Sequence, residues 1–185
     1  MEKSNAAYIV RLALTLFIIT AVVAGLLGAV NAITAEPIAQ HNAEKTRKAL
    51  ESVVAPGVTI GEAVENFEDP SGKVTALYET SDGYVAQVVV GGFGGDVDMV
   101  VGVSADGTVT GISIISHSET SGLGAVAAAN SQAGQDFRGQ FEGLSGELAV
   151  TKDGGTVDSI SGATITSRAI TEGVNAALAC AGAQD

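Results

Sequence analysis

The sequence predicts an α+β protein, in which an N-terminal transmembrane helix is followed by one antiparallel-sheet domain with helices on one face. Two observations predict this architecture. A long uncharged run lies near the N-terminus, between Arg11 and Glu36. Further along, pairs of alternating apolar segments flank short Asp-Gly turns, and helix-like patterns follow them. The chain has 185 residues, which is enough for one domain with a sizeable core but hardly for two.

Composition excludes several classes of function. The formal net charge of −12 argues against a nucleic-acid partner, because phosphates require a basic surface. The single cysteine, Cys180, excludes an internal disulfide and any zinc or iron–sulfur site built from several cysteines. We expect Cys180 to be a small buried apolar residue. Two histidines, His41 and His117, leave little material for a histidine-rich metal site.

The uncharged run at residues 12–35 is long enough to cross a hydrocarbon layer of roughly 30 Å at about 1.5 Å per residue. We therefore expect an uncleaved transmembrane helix, preceded by a short tail at residues 1–11. The competing interpretation is a cleaved signal peptide, which Lys3, Arg11 and the small residues at 32–35 favour, but the apolar region is long for one. Basic residues flank the run on both sides, so the charges do not decide its orientation.

Residues 36–56 predict a stalk helix or linker. Pro37 suits the first turn of a helix, an amphipathic stretch follows, and Pro56 stands where it ends. The remaining residues, 57–185, form the predicted domain. Seven basic and twenty acidic residues follow position 35, so we expect this domain to stand off an anionic lipid surface.

The domain begins with two predicted hairpins. Residues 74–78 and 84–90 alternate in hydrophobicity around a Ser-Asp-Gly turn, and residues 98–104 and 108–116 do so around an Ala-Asp-Gly turn. A glycine-rich segment, Gly92-Phe93-Gly94-Gly95, connects the two hairpins. Such a segment is either a flexible connection or a place where the backbone approaches a ligand.

The second half of the domain predicts mainly helices. Residues 125–143 are irregular to helical, with Phe137 and Phe141 one turn apart and facing the core. Residues 148–150 predict a short strand. Residues 164–181 predict a final helix with one apolar face.

Two segments carry more polar chemistry than a plain globular pattern requires. The loop from His117 to Gly124 gathers ionisable and hydroxyl side chains after a strand, where Gly122 and Gly124 would let backbone N–H groups approach a flat ring. A solvated surface loop is the alternative. The segment from Asp158 to Ser167 crowds hydroxyls at the start of the last helix. It is either a helix cap or a phosphate site, and it is not a P-loop because no lysine follows the glycine.

The run Asp158-x-x-Ser161-Gly162-Ala163-Thr164 is similar to the flavinylation motif of the FMN-binding domain family, which includes subunits of Rnf-type redox complexes. This resemblance implies that Thr164 carries FMN through a phosphoester bond, installed from FAD by a dedicated flavin transferase. It also implies that the other four motif residues form the recognition frame. Thr166 is a competing hydroxyl that the family pattern disfavours.

The earlier motif resembles the family pattern independently. Gly92-Phe93-Gly94-Gly95, a strand, Asp106-Gly107, a second strand and the 117–124 loop occur in the family's order, although Ser121 stands where the family usually has proline. The resemblance implies that this loop contacts the flavin. The residues concerned are His117, Glu119, Thr120, Gly122, Leu123 and Gly124.

The resemblance also implies a function. It indicates a membrane-anchored electron carrier in an ion-translocating Rnf-type complex, which has other membrane and peripheral subunits as partners and no substrate turnover of its own. The domain would lie on the extracytoplasmic side of a prokaryotic cytoplasmic membrane. Two alternatives stay open at this point, namely an FMN domain that serves another extracytoplasmic reductase chain and an anchored binding module without a cofactor.

Overall fold

The structure is a computed structural model that describes residues 2–184, with side chains from Tyr8 onward. It divides into two compact units, one up to Glu44 and one from Lys45 onward. The first helix, α1, runs over Glu2–Ser52. Within the described residues it is the one helix long and apolar enough to cross a membrane, and its most apolar stretch has no buried residue. The Thr15, Thr20 and Thr34 hydroxyls donate to carbonyls one turn earlier, which satisfies these polar groups inside an apolar segment.

The expected helix start at Pro37 is wrong, because α1 continues through this residue. Proline has no N–H to donate, so one hydrogen bond of the helix is missing here. Ala35 and Glu36 precede Pro37, Ala39 and Gln40 follow Ile38, and all four are good helix formers that favour continuation of α1 on both sides. The helix then ends at Ser52, ahead of Pro56 as expected.

Five strands form one antiparallel sheet in the order β1-β2-β3-β4-β5, so that each strand pairs with its neighbour in sequence. Both predicted hairpins are confirmed. The strand β1 was not expected from the sequence. The strands are β1 Ile60–Ala63, β2 Val74–Thr80, β3 Gly83–Gly91, β4 Asp96–Ser104 and β5 Val109–His117.

Two helices cover one face of the sheet, as predicted. They are α2, Gln132–Gly139, and α3, Thr164–Gly182. A 3₁₀ turn at Gly124–Ala128 precedes α2. The aromatic rings of Phe137 and Phe141 meet edge to face with centroids 5.6 Å apart. The core between the sheet and these helices includes Leu77, Val88, Val90, Met99, Val101, Phe141, Ile170, Val174 and Cys180.

The opposite face of the sheet receives the C-terminal end of α1. Leu50 and Val53 pack there against Val85 and Val100. The paired residues Gly102 and Gly111 lie under Val53, and a Cβ atom at Gly102 would collide with the Val53 carbonyl oxygen. The missing side chains therefore let the backbone after α1 sit directly on β4 and β5.

The predicted strand at 148–150 is wrong. Only Val150 pairs, in a single parallel bridge with Val157, and the chain then enters a 3₁₀ turn at Thr151–Asp153. The backbone of Gly155 lies so close to Ala149 that a Cβ atom would collide with the Ala149 carbonyl. The chain therefore turns back on itself within a few residues, and the hydrogen bonds around Val150 and Val157 form a tight turn instead of a strand.

Candidate functional site

A cleft of about 300 Å³ opens at the N-terminal end of α3. Three segments meet there, namely the glycine-rich loop between β3 and β4, the loop after β5, and the first turn of α3. This volume lies at the lower end of the range for small-molecule pockets. The lining residues are Phe93, Glu119, Thr120, Leu123, Gly124, Gly162, Ala163, Thr164, Ile165 and Thr166.

The rim of this cleft is apolar and exposed. Phe93 is 67% exposed, Ile165 50% and Leu123 42%. Among the described residues after α1, these are the three large apolar side chains with high exposure, and all three line the same cleft. Scattered exposed apolar residues are ordinary, but convergence on one cavity indicates a site for a ligand with an apolar face.

The Glu119 carboxylate, on the loop after β5, connects this loop to the other two segments by hydrogen bonds. Its Oε1 accepts hydrogen bonds from the backbone N–H groups of Phe93 at 2.7 Å and Gly94 at 3.0 Å. Its Oε2 accepts one from the Thr166 hydroxyl at 2.7 Å. Burial raises the pKa of Glu119, but the hydrogen bonds from Thr166, Gly94 and Phe93 outweigh it and hold this pKa below its usual value. The carboxylate is therefore charged at neutral pH and fixes both the glycine-rich loop and α3.

The space around this carboxylate requires glycine. A Cβ atom at Gly92 would collide with Glu119 Oε1, and one at Gly124 would collide with Oε2. The Gly94 position faces the Ser118 carbonyl just as closely. Gly92 and Gly124, one from each sequence motif, therefore let the two loops pack closely around a buried carboxylate.

The N-terminus of α3 has no side-chain cap, so the helix-cap interpretation of the 158–167 segment is wrong. Ala163 occupies the cap position and makes no side-chain hydrogen bond to the first turn. The Ser167 hydroxyl instead donates to the Ala163 carbonyl and accepts from the Ile160 N–H. The N–H groups of the first turn, together with the helix dipole, then favour an anion at this end of the cleft.

The two candidate hydroxyls have different surroundings. Thr164 is half-buried, and its Oγ1 accepts a hydrogen bond from Lys152 Nζ at 2.8 Å. Thr166 is 2% exposed and donates its hydroxyl to Glu119. Thr164 is therefore open to a reaction partner, whereas Thr166 has a structural role.

Comparison of the sequence with known proteins shows the family to which this chain belongs. Residues 92–179 match the FMN-binding domain family, and residues 1–53 match the RnfG N-terminal region family. The G subunit of the ion-translocating oxidoreductase complex of Methanosarcina acetivorans is 31% identical, and the match covers 98% of this chain and 99% of that protein. The chain belongs to the family of G subunits of ion-translocating oxidoreductase complexes.

Two further members of this family are named for different ions. The G subunit of the Na(+)-translocating ferredoxin:NAD(+) oxidoreductase complex of Acetobacterium woodii is 35% identical, with 91% of this chain and 89% of that protein covered. The G subunit of the proton-translocating ferredoxin:NAD(+) oxidoreductase complex of Clostridium ljungdahlii is 42% identical, with 51% of each chain covered. The matched FMN-binding domain contains the cleft and all three of its segments.

In this FMN-binding domain, backbone hydrogen bonds of Asp158 hold the start of the recognition frame. The Asp158 N–H donates to Gln140 Oε1 at 2.7 Å, and the Asp158 carbonyl accepts from Gln140 Nε2 at 3.3 Å. The Asp158 and Ser161 side chains remain exposed. Gly162 has a φ of +75°, which glycine adopts without strain, and Leu123 lies against it. Ala163 is buried.

Of the six flavin contacts expected from the sequence, the structure brings four to the cleft, namely Glu119, Thr120, Leu123 and Gly124. His117 and Gly122 lie outside the lining; the His117 Nδ1 accepts a hydrogen bond from the Glu119 N–H at 3.2 Å.

Sequence reasoning missed Phe93 and Ile165 as cleft residues. Phe93 stands among four glycines in the run that resembles the family pattern, and Ile165 follows the motif directly. Thr166 also lines the cleft, although its hydroxyl is committed to Glu119.

Proposed function

We propose that this chain is a membrane-anchored electron-carrier subunit of an Rnf-type ion-translocating oxidoreductase complex, with FMN attached covalently to Thr164. One observation carries the proposal. An exposed apolar cleft adjoins an uncapped helix N-terminus, and the accessible hydroxyl between them accepts a hydrogen bond from a lysine. FMN has two parts that match these two features: its flat ring suits the apolar cleft, and its phosphate suits the helix N-terminus.

Phe93, Leu123 and Ile165 would contact the ring. Their exposed side chains surround the cleft, and covering them removes apolar surface from water. When bound, FMN supplies reversible electron uptake and release. The protein contributes a fixed position for the ring, because Glu119 holds the backbone of the Phe93 loop against α3. With three hydrogen bonds from the protein already on its two oxygens, Glu119 acts mainly as a positioning residue.

The start of α3 would hold the phosphate. Its first-turn N–H groups and the Lys152 ammonium both lie at the Thr164 end of the cleft. The burial of the Thr166 hydroxyl favours Thr164 as the attachment residue. The exposed side chains of Asp158 and Ser161 are accessible to a transferase that reads the motif.

We further propose that the domain lies on the extracytoplasmic side of a prokaryotic cytoplasmic membrane, with α1 among lipids and the other complex subunits as partners. FMN that dissociated there would be lost from the cytosolic pool, so a covalent bond gives a benefit independent of affinity. A fusion of alkaline phosphatase to the C-terminus tests this orientation, because the reporter is active only outside the cytosol. A reporter that stays inactive although the fusion protein accumulates at full length in the membrane would contradict it.

Intact-mass measurement tests the attachment directly. The full chain, co-expressed with a flavin transferase, should gain roughly 440 Da, and peptide mapping should place this mass on Thr164. Thr164→Ala should remain unmodified, whereas the matched variant Thr166→Ala should still be modified at Thr164. A modified Thr164→Ala protein, or a flavin on residue 166, would refute the assignment.

A further inference from the structure

We infer that Lys152 activates the Thr164 hydroxyl for flavin attachment and then neutralises the phosphodiester that forms. This inference rests on the proposed attachment of FMN at Thr164. It assigns a role to a residue outside the flavinylation motif, 12 positions before the acceptor.

The direction of the hydrogen bond supports this role. Lys152 Nζ lies 2.8 Å from Thr164 Oγ1, and an ammonium group has no acceptor, so the lysine must donate. The oxygen of Thr164 therefore accepts, and the hydroxyl proton is left free to point elsewhere. A donor aimed at this oxygen stabilises the negative charge that develops on it when it acts as a nucleophile.

The position of Lys152 is fixed by its neighbours. It lies in the 3₁₀ turn Thr151–Asp153, directly after the bridge between Val150 and Val157. Asp153 holds this turn against α3, because its two carboxylate oxygens accept from Arg168 Nε and Nη2, each at 2.6 Å. This paired geometry fixes orientation as well as distance.

Lys152, Asp153 and Arg168 together bring more positive than negative charge to the Thr164 end of the cleft. Arg168 lowers the pKa of Asp153 through their hydrogen bonds, so the two side chains are both charged and offset each other. Because two of these three side chains are basic and one is acidic, the group carries a net positive charge next to Thr164. In a chain with a net charge of −12, such a local cation is what an incoming flavin dinucleotide and the resulting phosphodiester require.

The chemical step balances without a redox reaction. Thr164 Oγ attacks the flavin-side phosphorus of FAD, the bond from that phosphorus to the bridging oxygen breaks, and AMP leaves with that oxygen. The hydroxyl proton passes to a base of the transferase. Lys152 keeps its own protons throughout and donates a hydrogen bond first to the attacking oxygen and then to the phosphodiester.

The test uses the purified full chain in detergent with a flavin transferase and FAD, and it follows the attached mass over time. We expect Lys152→Met to lower kcat for attachment roughly ten- to a hundredfold, as the loss of one charged hydrogen bond predicts, with unchanged KM for the chain and unchanged Tm. Lys152→Arg should restore most of the rate. Lys73→Met is the matched control, because Lys73 instead pairs with Glu172 at 2.8 Å.

Three results would overturn the inference. These are a Lys152→Met rate within twofold of the unchanged chain, a loss confined to KM, which would mean recognition by the transferase alone, and an Arg variant as slow as the Met variant. Each of them leaves the proposed function intact as long as the unchanged chain gains FMN at Thr164. Failure of the unchanged chain to gain FMN there would refute both.

Discussion

Removal of the Glu119 carboxylate is the most direct test of how the cleft is built. Glu119→Ala deletes three hydrogen bonds, from the N–H groups of Phe93 and Gly94 and from the Thr166 hydroxyl. Each such bond to a charged group contributes about 1.5–3 kcal/mol. The two N–H groups belong to a surface loop and can regain hydrogen bonds from water, whereas Thr166 is 2% exposed and stays unsatisfied. We therefore expect a loss of about 3 kcal/mol in the free energy of unfolding.

The assay is thermal unfolding of the full chain in detergent, followed by circular dichroism. For a domain of this size, the expected loss corresponds to a decrease of roughly 10 °C in Tm. Glu119→Gln is the matched control, since its amide oxygen can still accept from the loop and its NH₂ group can donate to the Thr166 oxygen. This variant should lose only about 1 kcal/mol, the difference between charged and neutral hydrogen bonds.

A Glu119→Ala protein whose unfolding free energy lies within about 0.5 kcal/mol of the unchanged chain would refute this account, because surface substitutions have effects of that size. Equal destabilisation of the Gln and Ala variants would refute it as well. Charge, and not hydrogen-bond geometry, would then be the only contribution of Glu119.

Three further predictions concern the same site. Gly124→Ala should lower Tm by several degrees, because its Cβ atom would collide with Glu119, whereas Gly139→Ala, which meets nothing within 4 Å, should leave Tm nearly unchanged. The lowered pKa of Glu119 stabilises the fold above the usual glutamate pKa, and this stability is lost as the pH falls through the folded value. The Tm difference between the unchanged chain and Glu119→Gln should therefore shrink from pH 7 to pH 3, and a constant difference would argue against it. Asp158→Ala should slow flavin attachment, as measured by intact mass, without changing Tm, since its carboxylate is exposed; normal loading would remove it from the recognition frame.

The sheet could be predicted from the sequence because its strands are long, alternate in hydrophobicity and adjoin Asp-Gly turns. The edge strand at Ile60–Ala63 lacked these signals, since three of its four residues are exposed. The false strand at residues 148–150 has an apolar pattern, but only Val150 finds a partner. The local hydrophobic pattern indicates which residues are buried. Whether a segment becomes a β-strand also depends on whether a distant part of the chain lies beside it and pairs with it.

The resemblance alone proposes Thr164 as the acceptor residue, and its physical distinction from Thr166 is visible only in the three-dimensional structure. Both threonines look equivalent in the sequence, and only the contact with Glu119, 47 positions away, commits one of them to the interior. Phe93 was missed for the same reason. Nothing adjacent in sequence shows that a carboxylate 26 residues later fixes its backbone at the cleft.

The angular spacing of residues around α3 has a consequence for insertions and deletions. An α-helix turns by roughly 100° per residue, so Thr164 and Thr166 point in nearly opposite directions. With the helix start held in place, a one-residue deletion before it would put Ile165 at the acceptor position. A one-residue insertion would put Ile165 opposite Glu119, leaving a carboxylate without its hydroxyl donor. We therefore expect related chains to keep the length of the motif and to vary in length at surface connections such as residues 64–73.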